Sequence, residues 1–168
     1  YATMISTVFP ESKLYSFEPH PKSYNRLTQK LDKNDRVFQI AVGAEDKQCI
    51  LYERVDHPDG SEMASVHEKV ITEFHGVESI KIDVEGHELA VIQGAKNAIK
   101  NGNIKVIQYE FNHPNIESKA FMRDFRDQLK GYNFYRMLEQ GALPIHDHPI
   151  FQEIFGYQNI IAIREDLD

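Results

Sequence analysis

Apolar and polar positions along this chain alternate between two periods, one helical and one extended. Met4, Ile5, Val8 and Phe9 recur at helical spacing and stop at Pro10, which predicts a helix over residues 2–9. Residues 13–17 predict a short strand closed by Glu18-Pro19-His20-Pro21, because proline cannot donate to a sheet ladder. A helix over residues 22–31 carries Tyr24, Leu27 and Leu31 on one side. Val37, Phe38, Ile40 and Val42 predict a strand over residues 36–42, turned by Gly43, and a further strand covers residues 48–54. His57-Pro58-Asp59-Gly60-Ser61 is turn chemistry. Residues 63–76 follow neither period and predict a loop with a short helix over residues 68–74.

The second half is more regular. Residues 79–84 predict a strand, and Leu89, Val91, Ile92, Ala95, Ala98 and Ile99 predict a helix over residues 88–100 that stops at Asn101-Gly102. A strand over residues 104–111 precedes an amphipathic helix over residues 118–130, built on Phe121, Met122, Phe125 and Leu129. Strands over residues 133–138 and 157–164 complete the set, separated by a loop rich in histidine, proline and aromatic residues. Strands alternating with helices predict βαβ units, hence an α/β, doubly wound, Rossmann-like and mostly parallel sheet. The last two strands lack a crossover helix, which predicts an antiparallel hairpin at the C-terminal edge. At 168 residues the chain is expected to form a single domain, residues 1–168.

Composition narrows the function. A formal net charge of −7 argues against a nucleic-acid partner and against adhesion to an anionic membrane, both of which need a basic face. No stretch approaches the roughly 20 apolar residues of a membrane span. Cys49 is the sole cysteine, so intramolecular disulfides and cysteine-rich zinc sites are excluded and a cytoplasmic setting is expected. The first twelve residues show no signal-peptide pattern, and position 1 is Tyr rather than Met, so the chain is expected to begin partway through something larger and to be N-terminally incomplete as a domain.

Lys81-Ile82-Asp83-Val84-Glu85-Gly86-His87-Glu88 is the stretch richest in chemistry. A β-branched run delivers two carboxylates and an imidazole to a glycine, and a helix follows at once. Ligands of open α/β sheets bind at the carboxyl ends of strands, where these groups fall. Asp83 and Glu85 share a side if the strand stays extended to Glu85. In the plainest reading, Asp83, Glu85 and Glu88 only favour the positive end of the helix. A mixed oxygen and nitrogen metal set from Asp83, Glu85, His87 and Glu88, with His113, His146 and His148 nearby in type, defines an alternative: a metal-dependent hydrolase or lyase. Glu18 ends a strand where Rossmann-like folds bind ribose hydroxyls. The G-x-G-x-x-G phosphate loop is absent, and Ser65 lacks the G-x-S-x-G context of a hydrolase nucleophile.

Phe17-Glu18-Pro19-His20-Pro21, Ala41-Val42-Gly43, Met63-Ala64-Ser65-Val66, Lys81 to Glu88 and Ile92-Gln93-Gly94-Ala95, taken in that order, resemble FkbM-type methyltransferases. The likeness runs from about Tyr1 to Glu110. It implies a class I fold that uses S-adenosylmethionine to methylate a hydroxyl of a small acceptor, with sugars and natural products the acceptors associated with the family. It implies that Glu18 accepts hydrogen bonds from the cofactor ribose, with Pro19 beside it in the cofactor site, and that Ala41 and Val42 lie near the adenine, with Asp46 a further candidate there. Asp83, Glu85, His87 and Glu110 become the candidates for orienting or deprotonating the acceptor hydroxyl, Asp83 foremost, although imidazole is the type of group best suited to that duty at neutral pH. No resident metal is implied. The chain departs from the family twice. The first strand and its acidic, glycine-containing loop are expected upstream of Tyr1, and the stretch from Ser65 to Ile80 is short. A non-catalytic Rossmann-like module that has lost its cofactor loop is the remaining alternative. Phe151, Phe155 and Tyr157 are expected to form the late loop's own core, with a pocket lid as the alternative, and Asn112-His113-Pro114 to line the acceptor pocket.

Overall fold

The computed structural model describes residue 2 and residues 13–31, 35–51, 64–69 and 77–167. The helix predicted from residue 2 lies outside that set beyond Ala2, as does the turn at residues 57–61. Among the described residues no helix is long and apolar enough to cross a membrane. Contacts divide the chain into two compact units, residues 1–69 and 70–168.

In the first unit, β1 (Tyr15–Phe17) pairs in parallel with β2 (Arg36–Phe38), Phe17 opposite Phe38, and the two rings stack at 5.3 Å. Between them runs α1 (Pro21–Thr28), which starts on Pro21 because proline's fixed φ suits a first helical turn and its missing N–H costs nothing there. The strand predicted over residues 36–42 divides into β2 and β3 (Ala41–Val42), because the two halves pair with different partners. β4 (Lys47–Leu51) and β5 (Ala64–Lys69) are antiparallel, and β5 also pairs in parallel with β3. The loop and helix expected around residues 63–76 are therefore corrected over Ala64–Lys69. That segment is a strand held on both sides, and pairing overrides its weak local preference. Residues 70–74 of the expected helix lie outside the described set.

The second unit is a five-stranded sheet in the order β6 (Ser79–Ile82), β7 (Val106–Glu110), β10 (Asn159–Arg164), β8 (Tyr132–Leu138), β9 (Gly141–Pro144). β6 and β7 are parallel, while β10 runs antiparallel to both β7 and β8, so β6, β7 and β8 point the same way. The Rossmann-like α/β reading holds. The antiparallel pairing predicted between the last two long strands is present, but β10 lies inside the sheet, and the edge hairpin is β8 with β9.

The helix predicted over residues 88–100 forms as α2 (Glu88–Gly94) and α3 (Lys96–Lys100), broken at Ala95 beside the poor helix former Gly94. α4 (Pro114–Glu117) and α6 (Pro149–Gln152) are single turns that lacked a periodic signal. α5 (Met122–Gln128) starts later than its apolar spacing suggested, since Asp124 Oδ2 accepts from Phe121 N at 2.8 Å and caps it there. Alternation on β7 sends Ile107, Tyr109 and Phe111 into the core, where Tyr109 stacks on Phe125 of α5 at 4.6 Å and Phe111 meets it edge-on. Fully burying each such ring contributes about 1.5–3 kcal/mol, and this layer fixes the sheet ends on which the site is built.

Candidate active site at the carboxyl ends of β6 and β7

β6 stops at Ile82, and the chain then turns through Glu85 (φ 51°) and Gly86 (φ 98°) into α2. The strand alternation therefore does not reach Glu85, and the shared side expected for Asp83 and Glu85 does not follow. Gly86 is required twice over: its φ is left-handed, and a Cβ there would lie 2.9 Å from both Cβ and O of Pro114. The turn after β6 is thus packed directly against the turn after β7.

Glu88 ties the two turns together. It is 1% exposed, its Oε1 accepts from Val84 N (3.2 Å) and Gly86 N (3.1 Å), and its Oε2 accepts from Asn115 Nδ2 (3.1 Å). Asn115 Oδ1 in turn accepts from Asn112 N at 2.9 Å. Backbone N–H groups at the corner would otherwise be unpaired, and a carboxylate satisfies two of them at once. Of the acidic groups in the Lys81–Glu88 segment, Glu88 is therefore the structural one.

The other groups face outward. Asp83 is exposed and paired with Lys81 Nζ at 2.5 Å. Glu85 and His87 are exposed, and His87 occupies the N-cap of α2 without a side-chain capping bond. Glu110, at the end of β7, is only 9% exposed; its Oε2 accepts from Asn112 Nδ2 (3.2 Å) and its Oε1 from the hydroxyl of Tyr157 (3.0 Å). The bond to Glu110 first, then that residue's charge, with smaller contributions from desolvation and from the charges of Asp83 and Glu85, push the Tyr157 phenol above its usual range. Of the three carboxylates, Glu110 alone bonds Tyr157 directly, while Asp83 pairs with Lys81. Tyr157 itself was expected in the loop's core. Instead Phe155 fills that role, 4.9 Å from Phe111, and Tyr157 is 80% exposed. Its pairing with Glu110 spans 47 residues, and no local pattern announces it. Asn112 and Asn115 are buried and structural, while His113 is exposed.

Among the described residues no three His, Cys, Asp or Glu side chains are grouped to hold a metal ion. His148 accepts instead from Ile150 N, capping α6.

In the first unit, Glu18 follows β1 and is half-buried; its Oε1 accepts from His20 N at 2.9 Å, which holds the carboxylate on its own turn. Pro19, Ala41 and Val42 are half-buried, and Asp46 is exposed in the turn between β3 and β4. A fixed, half-buried carboxylate at a strand's carboxyl end can accept from a ribose diol, so Glu18 fits the cofactor that the resemblance implies.

Comparison with known proteins bears on the fold and on the family likeness. The chain resembles the crystal structure of methyltransferase FkbM from Methylobacillus flagellatus KT (TM-score 0.52, 14% identity), covering 94% of this chain and 39% of that one. It also resembles precorrin-6y C5,15-methyltransferase from Geobacter metallireducens GS-15 (TM-score 0.51, 12% identity), covering 96% and 74%. The fold is that of the Rossmann-like methyltransferases. More particularly, residues 62–136 match the family described as the methyltransferase FkbM domain, so the FkbM resemblance read from the sequence holds across the Asp83–Glu110 region. A curated relative, hexuronic acid methyltransferase AglP from Haloferax volcanii, is 28% identical over 125 residues, 65% of this chain and 51% of the relative. The chain thus spans about half the length of that relative.

Proposed function

We propose that the chain forms part of a cytoplasmic S-adenosylmethionine-dependent O-methyltransferase whose acceptor is a hydroxyl of a sugar or glycan. The observation that carries this reading is the coincidence of two facts. The FkbM match covers the paired turns after β6 and β7, and Glu88 ties those turns together while Asp83 and Glu85 stay exposed and Glu110 bonds Tyr157. A sulfonium cofactor supplies an already activated methyl group, so the chain's own task is alignment and removal of one proton. Glu18 would hold the ribose, with Pro19, Ala41, Val42 and Asp46 around the nucleoside. Asp83, with Glu85 and His87, would orient the acceptor hydroxyl, and Glu110 would receive its proton. The hexuronic acid in the relative's name supports a carbohydrate acceptor here.

The test is calorimetric titration of S-adenosylhomocysteine into this chain and into its full-length natural form. Binding is expected, and Glu18→Ala is expected to weaken it about tenfold to a hundredfold, the worth of a lost charge-assisted hydrogen bond or two. Absence of binding to the full-length form would sink the proposal.

A further inference from the structure

Tyr157 combines two features that rarely occur together. It is 80% exposed, yet its hydroxyl is turned back onto a carboxylate that is 9% exposed. The chain on either side of it is anchored. Phe155 packs on Phe111 and Phe121, Phe111 N donates to Gln158 O at 3.0 Å, and Arg136 Nε donates to Gln158 Oε1. The phenol is therefore held over the end of β7 with its ring open to solvent. Glu110 is held as well, since Asn112 Nδ2 donates to its other oxygen.

We propose that Tyr157 and Glu110 form a two-step proton relay for the acceptor hydroxyl, resting on the methyltransferase reading above. The chemistry follows from counting hydrogens. A phenol has one proton to donate, and Tyr157 donates it to Glu110, so its oxygen can only accept from an arriving ligand. An acceptor hydroxyl must then donate to Tyr157, which leaves that hydroxyl's lone pairs turned away from the phenol and free to take a methyl group. As the new oxygen–carbon bond forms, the acceptor's proton passes to Tyr157 Oη, and the proton Tyr157 held passes to Glu110 Oε1. The sulfur–carbon bond of the donor breaks with its electron pair left on sulfur, so charge and atoms balance. A phenol is protonated at neutral pH, and the bond to Glu110 points that proton at the carboxylate, so the relay is loaded before the acceptor arrives.

The experiment has two readouts. The first is the titration of Tyr157 by NMR in ring-labelled protein, assigned with Tyr157→Phe. The wild-type phenol should titrate above the ordinary range, and Glu110→Gln should bring it down. An ordinary titration in the wild type, or one that Glu110→Gln leaves unmoved, overturns the relay. The second is methyl transfer to methyl glucuronoside and methyl glucoside by the full-length natural form. Tyr157→Phe should lower kcat about a hundredfold with KM and S-adenosylhomocysteine affinity unchanged, the usual size of a positioned acid–base group. Tyr157→Phe at the wild-type kcat overturns the relay. Failure of the wild type to bind S-adenosylhomocysteine would overturn the methyltransferase reading instead, and the titration tells the two failures apart.

Discussion

The two ends of the five-stranded sheet are held by opposite chemistry. At the carboxyl ends of β6 and β7, chain direction presents backbone N–H groups at turns and helix starts, and these are met by acceptors. Glu88 takes Val84 N and Gly86 N, Asn115 takes Asn112 N, and Glu153 reaches from the late loop to take Met122 N (2.9 Å) and Arg123 N (3.3 Å). At the amino ends the chain leaves helices and presents carbonyls, and these are met by donors. Arg164 Nη1 donates to Gly102 O at 2.5 Å, and Tyr132 donates from its hydroxyl to Ile104 O at 2.5 Å. Helix polarity dictates both halves of the pattern. A cleft of about 730 Å³ lies at the amino end, lined in part by Lys96, Lys100, Lys130 and Arg164. Volume is therefore a poor guide here. Exposed carboxylates occur at both ends, since Asp127, Glu165 and Asp166 also line this cleft, but ligands of open α/β sheets bind at the carboxyl end.

The sharpest way to break this comparison is to remove the acceptor at the centre of the carboxyl end. Glu88→Ala strands two backbone N–H groups and the Asn115 amide in a buried place, and should cost about 3 kcal/mol or more. Urea unfolding measures it. A loss below about 1 kcal/mol would mean that water replaces the carboxylate and that the corner is open rather than packed. Gly86→Ala tests the same corner sterically. It forces a side chain into a left-handed backbone and against Pro114, and should cost about 2 kcal/mol, again read from urea midpoints.

The corner was visible in the sequence, but the division of labour within it was not. Lys81 to Glu88 stands out because β-branched residues, carboxylates and a glycine meet where one period changes to another. Which carboxylate is structural depends on Asn115, 27 residues away, and on the left-handed turn at Glu85, and neither leaves a local mark. The same reasoning explains Tyr157. Sequence spacing groups it with Phe151 and Phe155 as loop core, whereas Phe155 alone reaches the core and Tyr157 turns to Glu110. β7 and α2 were legible because one face of each is buried and their apolar spacing is clean. β5 was not, because its strand state comes from two neighbours, and β9 and α6 are too short to show a period.

The smallest expected effect belongs to the amino end and carries a pH signature. Burial holds the Tyr132 phenol above its usual range of about 10, with Arg164 opposing and Asp166 adding to that shift. A phenol whose folded value is raised contributes stability that is intact below pH 10 and is lost as pH climbs through the folded value, because the unfolded chain ionises first. Tyr132→Phe should therefore act in two directions. Near pH 7 it costs about 1 kcal/mol, since Ile104 O loses its donor. Above pH 10 the variant should lose stability less steeply than the wild type, though not be flat, because the buried Tyr109 is raised in the same direction and remains. Urea midpoints from pH 7 to 11 test this. Parallel curves for the two proteins would show that Tyr132 ionises in place, and that the donor pattern at this end does not depend on a closed phenol.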